Sequence, residues 1–180
     1  MLAKEKLTPE QYLELERRAE ARHEFVDGVM HAMAGDKKQN NRVVRRLVRL
    51  LDEPVERSQC DLFFTVVKMQ VPNGRFRYPD VVVTCEEDAD EYLVQAPCAV
   101  FEVLSESTED VDSGEKLEEY LKIPSLQRYV LLRQDRAVVM VYARDEQGWR
   151  FSLLEGTGEF DVPCIGATLR LEAIYDGILS

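Results

Sequence analysis

Long hydrophobic runs are missing from the 180-residue sequence, and so is an apolar segment at its start. The longest apolar stretches, 129–132 and 137–143, fall far short of the roughly 18 residues that indicate a membrane-spanning helix. The first residues, MLAKEKLTPEQ, lack the apolar stretch of a signal peptide. The sequence therefore predicts a cytoplasmic protein that does not associate with a membrane.

Cysteine and histidine are both scarce, with four cysteines and two histidines in the chain. The cysteines are unevenly spaced and include no C-x-x-C pair, so their spacing argues against a structural zinc site. We expect reduced thiols that pack as small apolar residues. The four are Cys60, Cys85, Cys98 and Cys164.

Positive charge is also in short supply, since the formal net charge is −11. A phosphate backbone repels an acidic surface, so this total counts against binding of nucleic acid. The charges are unevenly distributed, however. Residues 37–49 contain six basic and no acidic side chains, whereas residues 86–119 contain thirteen acidic side chains and a single basic one, Lys116.

What is present is the composition of an ordinary globular protein. Hydrophobic residues make up 45% and charged residues 32% of a chain that is long enough to bury one sizeable core. We expect one domain over residues 1–180.

Helical and strand patterns alternate along the chain. Thr8 can cap a helix that runs to about Arg22, and Asp27-Gly28 favours a type I′ hairpin between residues 23–26 and 29–33. An amphipathic helix is predicted at 41–51. Strands follow at 63–71, 76–85, 98–104, 126–132, 137–143 and 149–154, and helices at 108–122 and 171–179. The pattern predicts an α/β fold whose mixed sheet of about six or seven strands is flanked by helices.

Glu102 is the most informative residue, because it lies inside the apolar run CAVFEVL. A buried carboxylate costs several kcal/mol unless a cation, hydrogen bonds or protonation compensates it. Asp80 follows Pro79 at the start of another apolar run, although an aspartate after proline also suits a simple turn. Two carboxylates on neighbouring strands would form an oxygen-rich site for Mg²⁺ or Mn²⁺. Such an ion could polarise a phosphodiester and lower the pKa of an attacking water.

Several segments share the order and spacing of one known family. They are RHEFVDG at 22–28, YPDVVV at 78–83, FEVLS at 101–105, and then Asp112, Lys116 and Tyr120. Together they resemble the prokaryotic Uma-two family of predicted restriction endonucleases over nearly the whole chain. The resemblance implies a restriction-endonuclease-like PD-(D/E)XK fold, in which the Pro-Asp and Glu motifs lie on adjacent strands and bind the metal. It implies a Mg²⁺-dependent DNA endonuclease with Asp80, Glu102 and Lys116 as its catalytic core.

The catalytic lysine departs from the standard pattern. That pattern has a lysine two residues after the glutamate, where this chain has Leu104. In this family the lysine has moved to the following helix, where Lys116 stands, and its ammonium could orient the attacking water and stabilise charge on the phosphate. Asp112 and Tyr120 lie one helical turn either side and could hold the lysine. The alternative is a solvated i, i+4 pair on an exposed helix.

Further groups are expected around this core. Glu24 matches the acidic residue that such folds contribute from the first helix or its edge, and it would complete the metal site, although a half-exposed hairpin glutamate is ordinary. The carbonyl of Val103 could be another metal ligand. The family often has a histidine where this chain has Asn40-Asn41, so its role is absent or replaced. The arginines of the amphipathic helix could contact DNA phosphates or form a solvated face: Arg42, Arg45, Arg46 and Arg49.

Three functions stay open on the sequence alone. The first is hydrolysis of DNA by a Mg²⁺-activated water. The second, which the negative net charge favours, is a catalytically inactive interaction protein that keeps the nuclease fold. The third is a nuclease acting on RNA or branched DNA, because the same metal chemistry serves any phosphodiester. A homodimer is expected, since a duplex has two strands to cut.

Overall fold

In the part of the chain that the structure describes, the fold is built from three β-sheets and the helices that pack against them. The computed structural model describes residues 6–33, 35, 37–65, 67–105 and 111–179, with the exception of the side chain of Asp112. In that part of the chain the sheets have five, six and two strands.

The elements follow one another in chain order. The helices are α1 (Pro9–Arg18), α2 (Lys38–Ser58), α3 (Lys116–Tyr120) and α4 (Leu171–Tyr175), with a π-helical turn at Val111–Glu115 and a 3₁₀ turn at Pro163–Ile165. The strands are β1 (His23–Val26), β2 (Val29–Ala32), β3 (Asp61–Phe64), β4 (Lys68–Gln70), β5 (Phe76–Arg77), β6 (Val81–Thr84), β7 (Leu93–Val94), β8 (Pro97–Leu104), β9 (Arg128–Arg133), β10 (Val138–Asp145), β11 (Gly148–Glu155), β12 (Glu159–Val162) and β13 (Ala167–Arg170). No helix among the described residues is long and apolar enough to cross a membrane.

The first helix begins as its sequence predicts. Thr8 and Gln11 form a capping box, in which each side chain accepts a hydrogen bond from the other residue's backbone N–H. The helix ends at Arg18 and not near Arg22, because Ala19 is already extended. Tyr12 is fully buried and stacks on Phe25 of β1 at 4.8 Å between ring centroids, which fixes α1 against the first hairpin.

The predicted type I′ hairpin is confirmed. Asp27 and Gly28 have φ angles of 51° and 89°, the left-handed values that this turn needs at both central positions. The hairpin pairs Glu24 with His31, so the turn fixes where Glu24 lies.

Two predicted strands are each split between sheets. The 63–71 segment forms β3 and β4, and the 76–85 segment forms β5 and β6. The five-stranded sheet has the order β2-β1-β5-β4-β7, and the six-stranded sheet has the order β11-β10-β9-β8-β6-β3. Thr65 leaves β3 with a left-handed φ of 64°, and its N–H donates to the carbonyl of Asp80. The chain therefore crosses from one sheet to the other at Asp80, next to this bend.

The six-stranded sheet is the central, mixed sheet. Strands β8 and β9 run parallel, whereas the other neighbouring pairs are antiparallel. One face packs against α2, α4 and the β12–β13 hairpin, and the other packs against β4, β7 and α3. The predicted mixed α/β architecture is confirmed, but the five-stranded sheet and the β12–β13 hairpin were not anticipated.

The bounds of two helices and the oxidation state of the cysteines differ from the sequence predictions. Helix α2 extends well beyond 41–51, because Val55 continues its buried face past Pro54. Of the predicted 108–122 helix, residues 108–110 lie outside the described residues, 111–120 form the π-helical turn and α3, and the helix ends at Tyr120. The expectation of reduced cysteines is wrong: Cys60 is bonded to Cys85, and Cys98 to Cys164. The partners lie 25 and 66 residues apart, so tertiary topology pairs them and local spacing does not reveal it.

Candidate active site

Asp80 and Glu102 are side by side at the junction of the two large sheets. Val81 of β6 pairs with Phe101 of β8, so the residue before β6 lies opposite the end of β8 that carries Glu102. The N–H of Asp80 donates to Oε2 of Glu102 at 3.3 Å, and the N–H of Val103 donates to Oδ2 of Asp80 at 2.7 Å. Glu102 therefore accepts a hydrogen bond from the backbone of Asp80, and Asp80 accepts one from the backbone of the residue that follows Glu102.

Lys116 supplies the cation that a buried Glu102 requires. Glu102 is only 3% exposed, and Lys116 Nζ lies 3.2 Å from its Oε1. The hydroxyl of Tyr120 donates to the same oxygen at 3.1 Å. Lys116 is the first residue of α3, directly after the π-helical turn, and the four-residue spacing puts Lys116 and Tyr120 on one face.

Glu24 joins the same group from β1. Its Oε1 lies 3.3 Å from Lys116 Nζ, so this ammonium lies between two carboxylates. Arg77 Nη1 donates to Oε2 of Glu24 at 2.9 Å, and the N–H of Tyr78 donates to Oε1 at 3.4 Å. Burial acts to raise the pKa of Glu24, but the charges of Lys116 and Arg77 and the two hydrogen bonds outweigh it, and the pKa is lowered.

Arg77 is a site residue that the sequence reasoning missed. It is 2% exposed, and its Nε and Nη2 donate to the two oxygens of Glu119 at 2.9 and 2.8 Å. Glu119 also accepts from Arg75, which reaches Asp27 in the hairpin turn. Burial opposes the charge of Arg77, but Glu119 and Glu24 raise its pKa. The available signal was an arginine in the run FRYPD, where a buried cation, like a buried carboxylate, requires a partner.

Asn40 was also missed. It is 4% exposed in the first turn of α2, and its Nδ2 donates to the carbonyl of Val103 at 3.0 Å. This carbonyl is the group expected to bind metal, and a carbonyl oxygen has a second lone pair. The signal was the position itself, because Asn40-Asn41 stands where the family often has a histidine.

The four arginines of α2 that were expected to contact DNA divide into two groups. Arg42, Arg45 and Arg49 are exposed, whereas Arg46 is half-buried and donates to the carbonyl of Asp176. A shallow surface depression of about 590 Å³ lies at the start of α2. Its lining is polar and largely basic: Lys37, Lys38, Asn41, Arg42 and Arg45.

Comparison with known sequences decides the family. The sequence model of Uma2, described as "Putative restriction endonuclease", matches residues 9–172. The chain belongs to the Uma2 family. This Uma2 chain is 32% identical over 177 residues to the uncharacterized protein slr1290 of Synechocystis sp., with 96% of the chain and 93% of the relative covered. It is also 33% identical over 133 residues to the uncharacterized protein sll1609 of the same organism, and this match covers 71% of the chain and 75% of the relative.

A solved structure is similar to this Uma2 chain along its whole length. The crystal structure of a "putative nuclease belonging to DUF820" from Anabaena variabilis superposes with a TM-score of 0.77, covering 96% of this chain and 99% of the other. The two sequences are 18% identical, so the likeness concerns the fold. The expected restriction-endonuclease-like fold is confirmed.

The structure brings together most of the predicted Uma2 site. Four predicted side chains are linked through Glu102 or Lys116 (Glu24, Glu102, Lys116 and Tyr120), and Asp80 contacts Glu102 through its backbone. The predicted basic side chains lie on α2, whose Asn40 donates to the carbonyl of Val103. The side chain of Asp112 lies outside the described residues.

The donor set of the Uma2 site suits a hard divalent cation. Asp80 and Glu102 offer carboxylate oxygens and Val103 offers a carbonyl, which are the ligand types that Mg²⁺ and Mn²⁺ favour. Among the described residues, a cluster of three side-chain ligand atoms within 4.8 Å occurs at the cysteines and not here. A cation at Asp80 and Glu102 would therefore keep several waters, as Mg²⁺ usually does.

Proposed function

We propose that this protein is a Mg²⁺-dependent endonuclease that hydrolyses phosphodiester bonds in DNA, and that Mn²⁺ can replace Mg²⁺. One observation carries the proposal: Lys116 Nζ lies 3.2 Å from Glu102, and Glu102 in turn accepts from the backbone of Asp80. Membership of a restriction-endonuclease family and a nuclease fold support it.

In this proposal Asp80, Glu102 and the carbonyl of Val103 hold the cation. When bound, such a cation lowers the pKa of a coordinated water and polarises the phosphate. Asp80 is half-exposed whereas Glu102 is buried. Asp80 would therefore bind the cation from the solvent side, and Glu102 would bind it from the side of the core. Asn40 orients the Val103 carbonyl by donating to it.

Lys116 contributes positive charge beside this group. Its ammonium is held between Glu24 and Glu102, so little reorganisation is needed when negative charge develops on the phosphate. We assign Glu24 the positioning of this ammonium, in addition to the expected role of completing the acidic set. Arg77 donates to Glu24 and is itself held by Glu119, so this pair fixes the position of Glu24.

The substrate surface is proposed to begin at the start of α2. The N-terminus of a helix carries partial positive charge, and Lys37, Lys38 and Arg42 add full charges there. Arg45 and Arg49 continue the same exposed face. This local surface is where phosphates would bind in spite of the net charge of −11. Action on cellular DNA agrees with the expected cytoplasmic location, which stays a prediction.

Plasmid nicking tests the proposal. The wild-type protein should convert supercoiled plasmid to nicked and linear forms with Mg²⁺ or Mn²⁺, and a chelator should stop it. Asp80→Asn, Glu102→Gln and Lys116→Met should each lower the rate by about 100-fold or more. Glu118→Gln on the exposed face of α3 is the matched control and should retain the activity.

The outcome also separates the alternatives. Equal inactivity of the wild type and the three variants on DNA, RNA and branched substrates would favour an inactive interaction protein. Cleavage of RNA or branched DNA alone, lost in the same variants, would keep the chemistry and change the substrate. The expected homodimer is tested by sedimentation with and without a duplex.

A further inference from the structure

The four cysteines meet at one place, away from the candidate active site. Cys60 precedes β3, Cys85 follows β6, Cys98 lies in β8, and Cys164 lies in the 3₁₀ turn after β12. The Cys60–Cys85 and Cys98–Cys164 disulfides are adjacent: Cys85 Sγ lies 3.8 Å from Cys98 Sγ. The sulfur atoms of Cys85, Cys98 and Cys164 all lie within 4.8 Å of one another. We call these four residues the cysteine cluster.

A β-bulge directs Cys98 into this cluster. Val83 pairs with Ala99 and Thr84 pairs with Pro97, so Cys98 has no partner opposite it on β6. A bulge of this kind puts an extra residue in one strand and re-aims its side chain. Cys98 and Ala99 consequently pack into the same hydrophobic cluster, on the face that α2 and the C-terminal hairpin cover. Regular alternation would have placed them on opposite faces.

The cluster gathers parts of the chain that are distant in sequence. Cys60 lies just after α2, and Cys164 belongs to the turn between β12 and β13. Cys85 is exposed and Cys98 is buried, so the cluster reaches from the surface into the core. Cys98 is four residues before Glu102 on β8, which separates the cluster from the candidate active site by about 13 Å.

Once its disulfides are reduced, the cysteine cluster has the ligands of a site for a thiolate-binding metal such as zinc. Disulfides are uncommon in a reducing cell interior, where thiol reductants keep cysteines reduced. Four thiolates form a tetrahedral zinc site with Zn–S distances of about 2.3 Å, which puts the sulfurs about 3.8 Å apart. The Cys85–Cys98 separation already has this value. Reduction would break the S–S bonds of the two bonded pairs and allow their sulfurs to move apart to this separation.

We propose that the cysteine cluster, after reduction by a dithiol, binds one Zn²⁺ ion. Each S–S bond accepts two electrons and two protons from the dithiol, which is oxidised to its own disulfide. The four thiols then bind zinc and release up to four protons, so the site carries a net charge of −2. The zinc takes over from the disulfides in joining Cys164 and the C-terminal hairpin to the central sheet. The proposal does not depend on nuclease activity.

A cobalt titration of the reduced protein tests this site. Protein reduced with a phosphine, and freed of metal under inert gas, should develop thiolate-to-cobalt charge-transfer absorption and the visible bands of a tetrahedral site, and these signals should saturate at one thiolate-bound Co²⁺ per chain. One equivalent of Zn²⁺ should abolish both signals. Cys98→Ser and Cys164→Ser should each bind Co²⁺ more weakly and give a weaker charge-transfer band per bound Co²⁺, because three thiolates remain. Asp80→Ala is the control and should keep it, because carboxylates give no thiolate absorption.

Each outcome decides the proposal. A one-to-one charge-transfer signal displaced by zinc in wild-type protein supports it, even if a cysteine variant does not fold. Four titratable thiols per chain without that signal would overturn it. Resistance of both disulfides to reduction in the folded protein would overturn it as well, because the cluster would then be a permanent pair of cross-links.

Discussion

Lys116 Nζ lies 3.2 Å from Oε1 of Glu102, and this contact joins α3 to the central strand β8 across 14 residues of chain. Both residues are less than a tenth exposed. A buried carboxylate without a cation is strongly unfavourable, so this pair couples the proposed chemistry to the stability of the fold.

Removal of the ammonium should therefore destabilise the metal-free protein. In Lys116→Met two carboxylates, Glu24 and Glu102, lose their shared cation, and we expect a loss of about 3–5 kcal/mol of unfolding free energy. Urea unfolding with a chelator, followed by the fluorescence of Trp149, measures it. Mn²⁺ should restore part of the loss. Lys122→Met, at an exposed site after α3, is the control, and equal stability of the two variants would contradict the account.

Arg77 should not be replaceable by lysine. Its guanidinium donates to both oxygens of Glu119 and to Glu24, a fork that an ammonium cannot reproduce. We expect Arg77→Lys to lower the free energy of unfolding by about 2 kcal/mol or more and to slow plasmid nicking. Arg150→Lys, in an exposed pair with Asp145, should change stability by less than about 1 kcal/mol. Equal effects would show that Arg77 does not hold the site.

The lowered pKa of Glu24 predicts a specific pH dependence. Its folded-state pKa lies below the ordinary value of 4.5, so its contribution to stability is fully present above pH 4.5 and is lost as the pH falls through the folded-state pKa. Glu24→Gln should therefore flatten the dependence of unfolding free energy on pH below 4.5, measured by urea unfolding in chelator. Glu14→Gln, at an exposed site in α1, should leave that slope unchanged. Parallel curves for wild type and Glu24→Gln would refute the ion pairing.

The hairpin turn that positions Glu24 should require glycine. Gly28 has φ +89°, and a Cβ there would lie 2.5 Å from Cβ of Lys6. Gly148 has φ +118° in another hairpin, but open space surrounds it. Both alanine variants meet backbone strain of about 1–2 kcal/mol, and only Gly28→Ala also meets a clash. Its melting temperature should be the lower of the two, and the reverse order would count against the turn geometry.

The basic face of α2 should control salt-dependent binding of DNA. Arg42→Gln combined with Arg45→Gln should weaken duplex binding and reduce the slope of log affinity against log salt by about 2, near 0.9 per lost phosphate contact. Arg57→Gln, at the other end of α2 in an exposed pair with Glu53, is the matched control. Fluorescence anisotropy in Ca²⁺ measures binding without cleavage. An unchanged slope would remove α2 from the DNA surface.

Local sequence signals predicted much of the site and of the fold. Three features could be predicted because each depends only on neighbouring residues. They are the capping box at Thr8, the Asp27-Gly28 turn and the position of Glu102 within the apolar run of β8. Pro79-Asp80 was recognised as a carboxylate at the start of a strand. The convergence of Asp80 and Glu102 followed from the expectation that their strands are neighbours, which β6 and β8 are.

What could not be predicted depends on contacts between distant segments. Strand patterns do not show that the chain changes sheets at Thr65 and at Asp80, because a strand has the same periodicity in either sheet. The role of Arg77 could not be predicted, because its partner Glu119 lies 42 residues away in the sequence. The cysteine pairs depend on a β-bulge at Cys98 and on the C-terminal hairpin. Each of these features requires the tertiary fold.

A crystal soaked in Mn²⁺ and measured for anomalous scattering tests the central claim most directly. The account predicts one peak about 2.0–2.4 Å from carboxylate oxygens of both Asp80 and Glu102, absent in a matching crystal of Asp80→Asn. Mn²⁺ bound elsewhere, or no peak between these two side chains at saturating concentration, would contradict it.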